Sequence, residues 1–357
     1  MSLTKTTPAA PVEKAVSLTS GSLPRWAPWT VVAVSALVGV LGYTMLDWAA
    51  FPSVLLGVAL LVVALPTLAH IVEGPRKARD RLVTIAVSVA FSLAILPLLS
   101  LLWTVVDNGI GRFDWQFLTS DMRGVVGPGG GAQHAIVGTL LITLAATVIS
   151  VPIGVMCAVY LVEYGRGRLA RAVTLLVDVM TGIPSIVAGL FAFALFSIFF
   201  GPGIRFGIGG AVALSVLMIP VVVRSVEEML KLVPNELREA SYALGVPKWR
   251  TVIKVVLRTA AAGIATGVTI AIARVIGETA PLLIISGSTT VLNTDLFDGR
   301  MSSLPIFTYY SYSIPGARAE FGVERAWAAA LTLFIIVMAL NLVARLISRY
   351  FSLSNSR

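Results

Sequence analysis

The chain has 357 residues, of which 57% are hydrophobic and only 13% charged, and its mean hydropathy is +0.90. A soluble core of this size does not require so much apolar sequence, which places the chain among multi-pass, all-α membrane proteins. Its net charge of +9 is spread over connections at alternate span ends and forms no continuous basic face, so it reads as a topology signal and excludes a nucleic-acid surface.

Residues 1–25 are polar and rich in Ser, Thr, Pro and Ala, with Lys5, Lys14 and Arg25 as cations. They read as a disordered cytoplasmic tail, too far from the first apolar run for an ordinary cleavable signal peptide. Apolar stretches of membrane length follow at Trp29–Leu46, Val54–Val72, Leu82–Val106, Ile136–Val162, Val173–Phe200, Ile208–Val223, Ala260–Ile285 and Ala326–Ile347, about eight spans. The first two form an N-terminal transmembrane hairpin over 26–73. The sixth is short and is completed by Arg224 and its neighbours at the interface. Cys157 is the only cysteine, and His70 and His134 flank different spans, so no disulfide and no metal-ligand cluster is visible.

Cations sort the loops. Arg76, Lys77, Arg79 and Arg81 share one connection, Arg166, Arg168 and Arg171 another, and seven Lys or Arg from Arg224 to Arg258 a third. These alternate with loops poorer in cations, which puts both termini in the cytoplasm. The longer loops, Asp107–Ala135 and Gly287–Arg325, then face outward. Trp115, Phe117, Tyr309, Tyr310 and Tyr312 suit an outer interface or a docking surface there. GPGGG at 127–131 lacks the lysine and the strand-to-helix context of a phosphate loop and reads as a flexible turn.

The third cationic connection, 233–257, is a bracket of two proline-started helices. Pro234 and Pro247 fit first helical positions, and Gly245 suits the left-handed residue that closes the first helix. Leu237, Ala240, Ser241 and Leu244 fall on one side at helical spacing. A second helix then runs on into the bilayer.

No GxxxxGK[ST], no HExxH and no nucleophile elbow occurs, so the chain has no ATPase site of its own, and no catalytic or metal residues are assigned. The chemistry left is charge at bilayer depth, where an Arg or Asp costs about 2.5–3.5 kcal/mol and usually faces protein, water or a counter-charge. Arg274 and Glu278, four apart, are expected on one helix face with Thr279 beside them. An internal salt bridge that locks packing and an anion contact by Arg274 both stand as readings of this pair. Asp178, with the break at Gly182-Ile183-Pro184-Ser185, marks a second candidate within the fifth span, where a proline frees backbone carbonyls and Ser185 supplies a donor. Gly263 and Gly267 form a GxxxG pair suited to close helix packing.

Glu239-Ala240-Ser241, then Gly245, Val255 and Leu257, resemble the cytoplasmic "EAA" loop of ATP-binding-cassette importer permeases, with Ser241 in place of the second alanine and Arg258 in place of the proline. The run Ala273-Arg274-Val275-Ile276-Gly277-Glu278-Thr279-Ala280-Pro281-Leu282-Leu283 is similar, more narrowly, to the PstA-type permeases of bacterial phosphate importers. Gly182–Phe191 and Ala135–Leu140 add to the likeness, which covers roughly 80–350. The resemblance implies a type I importer permease core of about six spans, with the 26–73 hairpin as a peripheral addition. It implies that Leu237, Glu239, Ala240, Ser241, Leu244 and Gly245 seat in a cytoplasmic ATPase. It also implies that Arg274, Glu278, Thr279, Ser185 and Asp178 line a phosphate pathway, Arg274 meeting the oxyanion with its planar fork.

The implied partners are a sister permease (PstC type), an ATPase dimer that holds ATP and Mg (PstB type), an extracytoplasmic phosphate-binding protein (PstS type) and membrane lipid, in a bacterial inner membrane. Two alternatives remain: a permease for phosphonate, sulfate or molybdate, and an ion-coupled secondary transporter with Glu278 or Asp178 as proton carrier. Against the latter, no inverted repeat is apparent and the bracket would have no task.

Overall fold

A computed structural model describes residues 22–45, 49–316 and 318–354, which contain helices and no strand. The tail expected over 1–25 lies outside the described residues up to position 21. Seven of the helices are long and apolar enough to cross a membrane, and a bent pair makes an eighth crossing if counted as one span. The chain divides into two compact units between Leu102 and Trp103.

The first unit holds α1 (Ala27–Met45), α2 (Ala50–Glu73) and most of α3 (Pro75–Gly109). Small residues let α1 and α2 close on each other: a Cβ on Gly57 would lie 2.9 Å from the Ser35 carbonyl oxygen, and one on Gly39 3.0 Å from that of Ser53. At the cationic end, the Glu73 carboxylate is buried. It accepts from the Leu23 amide at 2.9 Å and pairs with Arg81 at 3.4 Å and Lys77 at 3.9 Å. Part of the positive loop therefore anchors the hairpin.

The second unit is built around α8 (Gly207–Lys231), whose Leu214, Met218, Val222, Val226 and Leu230 are fully buried. α5 (Gln133–Val159) packs along it where Gly154 admits Val222; a Cβ there would meet that side chain at 2.6 Å. α11 (Leu257–Val275) packs on its C-terminal half, Gly267 facing Ser225 so closely that a Cβ would lie 2.6 Å from the Ser225 Cβ. This is the packing role read for the GxxxG pair.

Two expected spans are not continuous. The fifth is α6 (Gly167–Thr181) and α7 (Ser185–Phe200), bent by 109° at 182–184. Pro184 has no N–H and sits just before α7, so the break reorients the chain instead of kinking one helix. The seventh expected span, Ala260–Ile285, stops as a helix at Val275 and resumes as α12 (Ala280–Ile285). A helix continued through Pro281 would set its ring against the Gly277 carbonyl, and the break falls just ahead of it. α12 rests on α7 at Gly189, where a Cβ would lie 2.6 Å from the Pro281 Cα. The sixth span does extend through its charged end to Lys231.

The loops hold short helices too. α4 (Trp115–Thr119) begins at Asp114, whose carboxylate accepts from the Phe117 amide at 2.6 Å. α13 (Leu304–Ser313) was not expected and precedes α14 (Ala319–Ser354). Phe117, expected at an interface, is fully buried against Leu304, Phe307 and Ala328, while Trp115 is exposed as expected. GPGGG is held by two arginines: Arg325 donates to the Gly127 and Gly129 carbonyls at 3.0 and 3.3 Å, and Arg112 to that of Gly130 at 2.7 Å. A turn pinned at three carbonyls replaces the flexible one read from composition.

Candidate functional site: a polar cavity and a helical bracket

Where α6 breaks into α7 and α11 breaks into α12, the two breaks face each other across α8. They enclose a cavity of about 210 Å³ whose walls include Thr181, Ser185, Pro220, Arg274 and Glu278. Ser185 opens α7, and the first amides of a helix have no intrahelical partner, so positive partial charge points into this space. Pro220, inside α8, leaves the Val216 carbonyl without its usual donor.

The internal salt bridge read for Arg274 and Glu278 is not present among the described residues. Glu278 is not on the helix that carries Arg274, since α11 ends at Val275, and the shared helix face does not exist. Among the described residues no carboxylate lies within 4.0 Å of the Arg274 guanidinium. The two side chains line the same cavity without pairing. It is a space in which a guanidinium, a hydroxyl and a helix N-terminus converge with one carboxylate, an arrangement suited to an oxyanion.

Of the five pathway residues expected from sequence, Ser185, Arg274 and Glu278 come together. Thr279 instead lines a wider, apolar cavity of about 760 Å³ between α12, α13 and α14, with Leu283, Tyr309 and Phe334. Asp178 is taken up by an ion pair with Arg224, whose other nitrogen donates to Glu227 at 2.8 Å; Glu227 in turn accepts from Lys231 at 2.7 Å. This network ties α6 to α8. Its α8 members, spaced three and four apart, carry a helix-face signal in sequence, but their partner 46 residues upstream carries none.

The bracket comprises α9 (Asn235–Ala243), a turn, and α10 (Lys248–Thr251) leading through a π-helical turn at 252–256 into α11. Gly245 adopts φ of 73°, its amide bonding the Tyr242 carbonyl at 2.9 Å, while the Val246 amide bonds that of Ser241 at 3.2 Å. This pair of bonds closes the helix as expected for a left-handed glycine. Pro234 and Pro247 take the position just before each helix, one residue earlier than expected.

Leu237, Glu239, Ala240, Leu244 and Gly245 are exposed, Leu244 at 83%. Ser241 is the exception among the expected coupling residues: it is buried, with its hydroxyl 2.8 Å from that of Thr251. It joins α9 to α10 and offers no docking surface. Arg238 fixes the bracket to the end of α5. Its guanidinium meets the buried Glu163 at 2.9 Å and donates to the Leu230 and Val233 carbonyls at 3.0 and 2.6 Å. Lys248 adds a bond to the Glu163 carbonyl and lies 4.8 Å from the centroid of the Tyr164 ring.

Residues 150–355, a stretch containing the whole bracket and both helix breaks, match the model of the binding-protein-dependent transport system inner membrane component. The chain belongs to this family. The permease subunits of such importers are multi-pass membrane proteins that work with a separate ATPase and a substrate-binding protein. Among curated relatives of this permease, the phosphate transport system permease protein PstA 1 of Mycobacterium tuberculosis is 46% identical over 277 residues, 76% of this chain and 89% of the relative. The phosphate transport system permease protein PstA of Yersinia pestis is 38% identical over 280 residues, 76% of this chain and 90% of that one. A solved chain of the MetNI methionine ABC transporter in an inward-facing conformation aligns with a TM-score of 0.48 at 24% identity, over 62% of this chain and 94% of that chain, a likeness too coarse to position side chains.

Proposed function

We propose that this chain is a transmembrane permease subunit of an ATP-driven phosphate importer and forms half of the translocation pathway. The observation that carries the proposal is Arg274, a cation that has no carboxylate partner among the described residues and lines a polar cavity with Ser185 at the start of α7. A divalent oxyanion supplies the missing counter-charge, and a guanidinium fork matches its oxygens two at a time. Glu278, on the same wall, repels an approaching anion unless Arg274 screens it, and so favours a ligand centred on the arginine. The names of the relatives, phosphate permeases over most of their length, support phosphate over other oxyanions.

The exposed face of α9 then seats in the cytoplasmic ATPase, a dimer of the PstB type that binds ATP and Mg. Arg238 and Lys248 carry its movement to the end of α5. Closure of the ATPase rocks α5 and α8 about the breaks at 182–184 and 276–279, and the cavity changes the side to which it opens. A PstC-type sister permease supplies the other half of the pathway, and a PstS-type binding protein delivers phosphate to the outer loops. The cationic connections support a topology with both termini in the cytoplasm of a bacterial inner membrane.

Uptake of radiolabelled phosphate into proteoliposomes holding all four components tests the reading. Uptake requires ATP in the compartment that faces the bracket. Equal uptake driven by a proton gradient without ATP would replace the importer with a secondary transporter.

A further inference from the structure

A second arginine has no counter-charge among the described residues, and unlike the exposed Arg274 it is buried. Arg325, in the second turn of α14, is only 9% exposed, and its Nη1 donates to the Gly127 and Gly129 carbonyls. Its Nε is buried and has no partner, and among the described residues no carboxylate lies within 4.0 Å, its neighbour Glu324 included. Carbonyl dipoles offset part of the cost of burying a guanidinium but supply no formal negative charge. Arg112 holds the same loop through Gly130 and differs in one respect: it is already paired with Asp114.

Arg325 forms one wall of a cavity of about 180 Å³, and a second cation, Arg318, forms another, with Gly127, Gly316 and Phe321 between them. Arg318 stands 5.9 Å from the Phe321 ring centroid and has no ion pair among the described residues. The opening turn of the long helix α14, which also carries Glu320, borders the same space. The volume far exceeds the roughly 10–15 Å³ that one water requires. It lies among the loops at the start of α5, whereas the bracket is fixed to the other end of that helix.

We propose that this cavity is a second anion site, for a small free oxyanion of the transported class, at the outer mouth of the permease. The charge argument stands on the two arginines alone; the choice of phosphate as ligand rests on the function proposed above. Bound there, the anion completes the coordination of Arg325 and is held among the outer loops before the Arg274 cavity opens to it.

The test is equilibrium binding of radiolabelled inorganic phosphate to the purified full chain in detergent. With Arg274→Gln, one phosphate per chain remains, and adding Arg318→Gln weakens that binding by roughly ten-fold or more. Arg318 is the first choice because it is exposed, so its loss leaves the loop clamp intact; Arg325→Gln gives the same result if the variant folds. Absence of phosphate binding in the Arg274→Gln chain, or binding indifferent to Arg318→Gln, overturns the proposal. Anionic phospholipid that co-purifies with the chain and is lost on Arg318→Gln, with no competition from free phosphate, also overturns it and assigns the site to a lipid headgroup. Failure of the Arg274 reading appears separately, as identical stoichiometry in the unsubstituted and Arg274→Gln chains.

Discussion

Arg238 in the bracket and Arg274 in the cavity are both cations brought against apolar helices, and they are satisfied in opposite ways. Arg238 meets one carboxylate, the carbonyls of Leu230 and Val233, and Asn235 at 3.2 Å, with its side chain 12% exposed. Arg274 meets no carboxylate among the described residues and lines a cavity. The former has its donors filled from within the chain; under the proposed function, the latter leaves them to an incoming anion.

Substitution sharpens the contrast most at its two poles. Glu163→Gln leaves Arg238 buried beside a neutral side chain, and losing one partner of a buried pair costs about 3–5 kcal/mol. Thermal unfolding of the full chain registers the loss, and a midpoint unchanged within error would break the comparison. Arg274→Gln does the reverse, leaving the unfolding midpoint in place while ATP-driven uptake falls by roughly 10–100-fold, the worth of a charged hydrogen bond. A destabilised Arg274→Gln chain would place this arginine with Arg238.

Smaller effects follow from the contacts that place these arginines. Gly189→Val sets side-chain carbons against Pro281, separating α7 from α12 and loosening the cavity wall, at about 1–3 kcal/mol. Denaturant unfolding measures that cost, and an unaffected midpoint would show that the two helices do not hold each other. Ser241→Ala removes one hydroxyl bond between α9 and α10 and costs about 0.5–1.5 kcal/mol. Co-purification of the ATPase stays intact, because the buried serine is not part of the docking face. Loss of the ATPase would return Ser241 to that face.

The smallest effect is in the loops that join Asp121 to Leu292. The Asp121 carboxyl is held below the usual carboxylate range, first by the Arg123 amide and then, against the cost of desolvation, by the Leu292 amide at 3.3 Å, which links the two loops. A carboxylate with a depressed folded value stabilises the fold above its unfolded value of about 3.9 and ceases to do so as pH falls through the folded one. Amide-exchange protection at Leu292 is therefore level from neutral pH to about pH 4 and declines only below it, and Asp121→Asn abolishes the decline. A decline between pH 5 and 7 would assign the link to another group.

Much of this molecule was legible as sequence because its signals are local. Run length marked the membrane helices, and Gly245 between two prolines marked the turn of the bracket. Arg274 was noticeable as a charge in an apolar run. What was not legible depends on partners distant in sequence. Pro184 and Pro281 each announce an irregularity, but whether a proline kinks a helix or ends it is decided by packing, here α12 lying against Gly189. For the same reason the ion pair of Asp178 with Arg224 and the burial of Phe117 under α13 and α14 leave no mark in the sequence. GPGGG read as flexible because neither Arg112 nor Arg325 is adjacent to it in sequence.

The most direct measurement is a structure of the assembled importer trapped during turnover with phosphate and ATP. Phosphate oxygens within about 3 Å of the Arg274 guanidinium and the Ser185 hydroxyl, with Glu278 still apart from the arginine, are the predicted result. Phosphate crossing by another route while Arg274 closes onto Glu278 as a salt bridge would contradict it.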